Sequence, residues 1–150
     1  FNCRMGDPET QPIVMRLKSD LATLIELAVG GNLDQAEAEW DPRVALAVVL
    51  AAAGYPDFPR KGDAIHGLPE AGEDYHVFHA GTTLQDRQVV VSGGRVLCVT
   101  ALGHNVKTAQ RRAYEIVDRI RFDGLQLRRD IGHRAIEAPS GYRAPQSNRK

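Results

Sequence analysis

Asn2, Arg4, Asp7, Glu9 and Gln11 lie within one short stretch of the chain, and these residue types together can hold a metal ion and a phosphate. Phe1, Cys3 and Met5 alternate with Asn2 and Arg4. In an extended strand, residues two apart share a face. Asn2 and Arg4 therefore point one way, and the apolar side chains point into a core. Gly6-Asp7-Pro8 reads as a turn, because Gly permits unusual dihedrals and Pro fixes φ. A neutral oxygen ligand, a guanidinium and two carboxylates thus gather at one strand end. Mg²⁺ takes oxygen ligands and shares them with substrate phosphates. Arg offers phosphate oxygens a forked, permanently charged donor. The competing reading is a strand followed by a solvated polar turn, and spacing alone leaves both open.

The elements around this stretch follow from periodicity. Pro12–Val29 is helical in pattern, with a restart at Ser19 or Asp20 and Ser19 as a good N-cap. Leu21, Leu24, Ile25 and Ala28 fall on one face, and Gly30-Gly31 ends the helix. Leu33–Trp40 is acidic and reads as surface. Asp41–Pro56 has Asp41 as N-cap, Pro42 at the first helical position, an alanine-rich body and Gly54 after it, which by propensity is a helix signal. From Gly62 the pattern becomes β. Tyr75–Thr83 reads as one strand. Gln88–Val91 and Arg95–Leu102 flank Ser92-Gly93-Gly94, which predicts a tight hairpin. Val96–Leu102 is almost wholly apolar, as a strand buried on both faces would be. Asn105–Ile120 is the clearest helix: Val106, Ala109, Ala113, Ile116, Val117 and Ile120 form one stripe, with Asn105 as cap. Leu125–Asp130 reads as a last strand. The tail Ala138–Lys150 carries three basic residues and no acid, a composition that predicts disorder. A segment of strands, one helix laid over them and a helical segment before them argue α+β.

Composition excludes several classes. The chain has 150 residues, with 19 basic and 19 acidic side chains, so no net charge calls for nucleic acid or an anionic membrane. Its longest apolar runs fall well short of the ~20 residues that span a bilayer. Cys3 and Cys98 lie far apart in apolar settings, as free cysteines of a reducing cytosol do. His76 and His79 are three apart in a strand and so face opposite sides. His66, His104 and His133 have no partners at ligand spacing. Arg95 stands apart from these bland cases: it enters a buried strand directly after Gly93-Gly94, where backbone can approach a ligand, although a salt bridge at a strand end accounts for it equally well. Arg128, Arg129 and Asp130 read as an ordinary charged strand end.

The string Asn-Cys-Arg-Met-Gly-Asp-Pro-Glu-Thr-Gln-Pro, residues 2 to 12, closely resembles the metal strand and following loop of the phosphoribosylamine–glycine ligases (glycinamide ribonucleotide synthetases), members of the ATP-grasp ligases. The resemblance continues through Arg16-Leu17-Lys18-Ser19-Asp20-Leu21, Val49–Pro56, Lys61-Gly62-Asp63, Ile65–Leu68, Val77–Thr82, Gly93–Gly103 and Arg129-Asp130-Ile131-Gly132. Departures are Met5 for the usual Phe, His104 for Asp and His133 for Tyr. In the family a Glu two positions before the Asn is the partner metal ligand, and here that position would precede Phe1. The chain opens inside a strand without Met, so the resemblance implies the carboxy-terminal part of a longer enzyme whose nucleotide-binding lobes lie upstream.

What the resemblance implies is specific. Residues 1–30 would finish an ATP-grasp domain, residues 31–137 would form a small β-rich carboxy-terminal domain with one covering helix, and 138–150 would be a disordered tail. Val44–Ala52 would be a strand, against its helix signal. The expected reaction joins glycine to 5-phosphoribosylamine, with ATP going to ADP and phosphate, in the cytoplasm, without nucleic acid or membrane. Asn2 would be the metal ligand for Mg²⁺ or Mn²⁺ bridging the ATP phosphates, and Arg4 would neutralise charge on the γ-phosphoryl group and the acyl phosphate. Asp7 and Glu9 are expected to line the same pocket and orient the amine or glycine; that assignment comes from their place on the loop, not from the matched string. Related purine-pathway enzymes set basic residues of the Arg95 hairpin on the substrate phosphate. The rival class is a non-catalytic β-rich binding module with a basic tail, which has no use for Asn2, Arg4, Asp7 and Glu9 together.

Overall fold

Val44, Val48 and Val49 stiffen a run that alanine would otherwise favour as helix, and the run is a strand, β1 (Val44–Ala51). Tertiary pairing decides this over local propensity. In the computed structural model, which describes residues 4–137, β1 pairs antiparallel with β5 (Arg95–Gly103) along its whole length. On β5's other side lies β2 (Tyr75–His79), also antiparallel, so the sheet order is β1-β5-β2. The register sets Val48 opposite Val99 and Val77 opposite the same residue. Val96 to Gly103 are all buried, as expected of a central strand covered on both faces.

The two faces have different covers. Leu46, Val48, Leu50, Leu97, Val99 and Ala101 join Ala109, Ala113, Ile116 and Val117 of α3 (Val106–Val117) in the main core. Asn105 caps α3 by accepting from the Thr108 N–H at 2.9 Å. The opposite face presents small side chains, Ala45, Ala47, Cys98 and Thr100 among them, and α1 (Thr10–Arg16) lies against β1 and β5 there. Burial pushes the Cys98 thiol up to about 11; the Thr100 hydroxyl opposes this and the Asp7 carboxylate adds to it. Cys98 is free and buried; Cys3 lies outside the described residues. Mixed sheets and helices of this kind make the chain α+β.

The restart expected at Ser19 or Asp20 divides Pro12–Val29 between two helices, α1 and α2 (Leu21–Val29), and several other expectations are corrected. The cap of α2 is Asp20, which accepts from Thr23 N–H at 2.7 Å; Ser19 instead accepts from the Glu39 N–H at 2.7 Å. Tyr75–Thr83 is broken at Ala80-Gly81, and Thr82–Gln85 is β3 of a separate ribbon with β4 (Gln88–Val91). The Gly93-Gly94 hairpin does not form, because β4 pairs with β3 and β5 with β1 and β2. The tight turn is Asp86-Arg87, both with positive φ (47° and 65°), between the paired Gln85 and Gln88. Glycine's role here is close approach: a side chain at Gly81 would meet the Arg95 carbonyl and Gly93 Cα at 2.7 Å. Leu125–Asp130 is not a strand; only Gln126 bridges to Ala51. A short helix, α4 (His133–Glu137), follows. The tail 138–150 lies outside the described residues. Among the described residues no helix is long and apolar enough to cross a membrane.

An ion network ties the α1 segment to the sheet. Asp41 is buried and accepts from the Arg43 guanidinium at 2.7 and 3.0 Å. Arg43 reaches Asp74, which also pairs with Arg112 at 3.0 Å, while Arg16 donates to the Asp41 carbonyl at 3.1 Å. Hydrogen bonds from the Arg43 side chain and backbone hold the Asp41 carboxyl well below the usual carboxylate range. A depressed folded-state pKa contributes stability above the ordinary value of 3.8, and that contribution is lost as pH falls toward the folded value. Asp41→Asn should therefore melt several degrees lower than wild type at pH 7, with the two melting curves converging in strong acid. A gap that persists undiminished at the acid end would remove the ionised Asp41 from the account.

Candidate functional site

The motif loop stands at the edge of the small-residue face of the sheet. Gly6 is buried, and the Glu9 carboxylate folds over it where a Cβ would otherwise sit. The Thr10 N–H donates to the Gly6 carbonyl at 3.0 Å, and the Thr10 hydroxyl bonds the same oxygen at 2.5 Å. These contacts start α1 directly after the loop. Asp7 Oδ1 accepts from Gln11 Nε2 at 2.8 Å. Arg4 is exposed, and its guanidinium donates to the Met5 carbonyl at 3.2 Å. Asn2 lies outside the described residues, so its side chain is not placed.

Arg95 comes to this loop from 88 residues away. Its Nη1 donates to the Asp7 carbonyl oxygen at 2.8 Å, and its Nε lies 3.3 Å from Asp7 Oδ2. The first residue of β5 and the turn of the motif are thus one structure, a contact that sequence spacing could not reveal. Beside the pair opens a cleft of about 360 Å³. Val49 and Ala51 line it, together with Pro8, Tyr55, Gln126 and Arg128. Tyr55, Gln126 and Arg128 carried no functional signal in the sequence, since each lies far along the chain from the motif. Arg128 is paired with Asp130 at 2.6 Å, so the charges expected at a strand end pair with each other although no strand forms there. A second cleft of about 560 Å³ lies between α1 and the start of β1, against Trp40, Arg16 and Arg43.

The donor set suits an anion with a hard cation. Arg4 and Arg95 are half-exposed or exposed guanidiniums with N–H groups left over, and Glu9 is an exposed carboxylate. Gln11 Oε1 is buried without a hydrogen-bond partner among the described residues. A buried acceptor in that state calls for a donor or a cation, and it stands in the first turn of α1, directly after the loop. The histidines form no such set: His79 Nδ1 contacts Thr82 Oγ1 at 2.9 Å, and His76 packs edge-on against Phe78. Both are exposed. Among the described residues no three His, Cys, Asp or Glu side chains converge on a metal position.

Comparison with known proteins agrees with the motif. The family described as phosphoribosylglycinamide synthetase, C domain, matches residues 45–134. A phosphoribosylamine–glycine ligase of Ralstonia nicotianae is 60% identical over 136 residues, covering 91% of this chain and 32% of that protein. The ligase of the same name from Escherichia coli O157:H7 is 61% identical over 139 residues, with the same coverages of 91% and 32%. A crystal structure of phosphoribosylamine–glycine ligase from Thermotoga maritima superposes with a TM-score of 0.68 at 38% identity, covering 87% of this chain and 32% of that one. The chain spans about a third of the length of the curated relatives it matches.

Proposed function

The chain belongs to the phosphoribosylglycinamide synthetase family, and from that premise we propose that it forms the carboxy-terminal third of an ATP-dependent ligase joining glycine to 5-phosphoribosylamine. The observation that carries this reading is the 60% identity over 136 residues with a ligase of that name. A glycine carboxylate oxygen attacks the γ-phosphorus of ATP and ADP leaves. The amine nitrogen of phosphoribosylamine then attacks the glycyl phosphate carbonyl, and phosphate leaves. Both steps depend on positioning and charge neutralisation.

The residues divide that work. Asn2 holds Mg²⁺ or Mn²⁺, which neutralises the phosphate oxygens when bound. Arg4 neutralises the γ-phosphoryl oxygens and the acyl phosphate. Asp7 and Glu9 belong to the same site, and the orienting of the amine or glycine expected of both falls to Glu9, because the Asp7 carboxylate is engaged by Gln11 and Arg95. Arg95 binds the 5-phosphate of phosphoribosylamine. A guanidinium has five N–H donors; Nη1 uses one on the Asp7 carbonyl and Nε faces the Asp7 carboxylate, which leaves the other Nη donors for the phosphate.

Residues 1–30 complete an ATP-grasp domain whose other lobes lie upstream, and residues 31–137 form the carboxy-terminal domain; the enzyme acts in the cytoplasm. The surface supports this division. Neither α1 nor α2 buries a residue, and Ile13, Val14, Leu21, Ile25 and Val29 are exposed. An apolar surface of that extent fits one covered by a partner, here the upstream lobes. In the full-length enzyme, Asn2→Ala should weaken Mg·ATP binding and lower turnover, with partial recovery at higher metal concentration. An unchanged metal dependence would take Asn2 out of the metal site.

A further inference from the structure

We propose that Asp7 is a positioning residue that acts through Arg95, the pair pinning the loop that carries Arg4 and Glu9 to the first residue of the central strand. The proposal rests on the ligase reading above. Both Asp7 carboxylate oxygens are occupied within the protein: Oδ1 takes the Gln11 amide at 2.8 Å, and Oδ2 faces Arg95 Nε at 3.3 Å. The Asp7 carbonyl is held as well, by Arg95 Nη1 at 2.8 Å. Side-chain and backbone oxygens of one residue thus grip one guanidinium, which fixes the direction of the loop and not only its distance.

The anchor is tied in by backbone contacts. Arg95 pairs with Ala51 across the sheet, just past a register shift after Leu50, and its carbonyl accepts from the Gly81 N–H at 2.8 Å. A side chain at Gly81 would collide with that carbonyl and with Gly93, so the strand start is packed backbone to backbone. The pair itself is about two-fifths exposed on each side (45% for Arg95 and 37% for Asp7). Exposed ion pairs contribute little to stability. Misplacing a reacting group by about 1 Å, in contrast, can cost roughly 10²-fold in rate. A positioning role therefore predicts a large effect on turnover with a small effect on melting.

Asn can keep one of the two carboxylate oxygens, the one facing Arg95, and puts its amide NH2 where Gln11 approaches, to which a flipped Gln11 amide offers its oxygen; Ala removes both. In the full-length ligase, Asp7→Ala should lower kcat by about 10- to 100-fold, with the three KM values near wild type and the melting temperature nearly unchanged. Asp7→Asn should restore turnover to within about threefold of wild type, a cost in the range of one neutral hydrogen bond. Equal losses in Asn and Ala would mean that the carboxylate charge acts on substrate, and a harmless Asp7→Ala would mean the pair positions nothing; either overturns the proposal. A second measurement is independent of ligase activity. On the 150-residue chain, hydrogen exchange at the Thr10 amide, which bonds to Gly6, should speed up in both Asp7→Ala and Arg95→Ala and stay slow in Asp7→Asn. Unchanged exchange in Arg95→Ala overturns the clamp. A full-length wild-type enzyme that forms no product with glycine and ATP overturns the ligase reading instead and leaves the exchange result to decide the clamp.

Discussion

Arg4→Lys in the full-length enzyme should lower turnover by roughly 10²–10³ although the positive charge is kept. A guanidinium lays two N–H bonds across two oxygens of one phosphoryl group, and an ammonium on a flexible stem cannot reproduce that fork. Losing one preorganised donor to a developing anion costs about 3–4 kcal/mol in comparable sites. The structure leaves Arg4 free for phosphate, since it is exposed at the mouth of the loop and its one hydrogen bond among the described residues goes to the neighbouring Met5 carbonyl. Steady-state turnover with saturating substrates reads the effect. Full activity in the lysine variant would make Arg4 a surface cation.

Arg95→Ala should raise the KM for phosphoribosylamine by about 10- to 100-fold while the KM values for ATP and glycine stay near wild type. A hydrogen bond between charged groups contributes about 1.5–3 kcal/mol, and the cleft beside Arg95 is the place where a phosphate would meet it. Turnover should fall as well, through the released Asp7 loop, but a fall in kcat does not imitate a KM change confined to one substrate. A variant that melts earlier and shows no selective KM change would leave Arg95 as a strand-end ion pair only.

Much of this was legible in the sequence, and the failures have physical causes. The stripe Val106, Ala109, Ala113, Ile116, Val117 gave α3 because amphipathic helices write their buried face into a period of 3.6. Val96–Leu102 announced a doubly covered strand through unbroken apolarity. Val44–Ala51 is a strand, as the resemblance implied and propensity did not, since alanines favour helix locally and the strand exists because β5 pairs with it along its length. The Gly93-Gly94 turn failed because glycine serves two ends: positive φ, and close backbone approach. Here it was approach, against Gly81, while the true hairpin used Asp86-Arg87, two side-chain-bearing residues in a conformation that L-residues seldom adopt. At the site, the motif was readable because its residues are consecutive. The Arg95–Asp7 contact was not, because its partners are 88 residues apart and no local pattern records a tertiary ion pair.

The most direct test replaces the matching third of the Ralstonia nicotianae ligase with residues 1–137 of this chain and measures glycinamide ribonucleotide formation from glycine, ATP and phosphoribosylamine. Product should form at a rate within about tenfold of the parent, a cost near 1.4 kcal/mol in barrier, and none should form from the 150-residue chain alone. A chimera that folds and binds ATP yet makes no product would contradict the claim that this chain carries the ligase's loop and phosphate site.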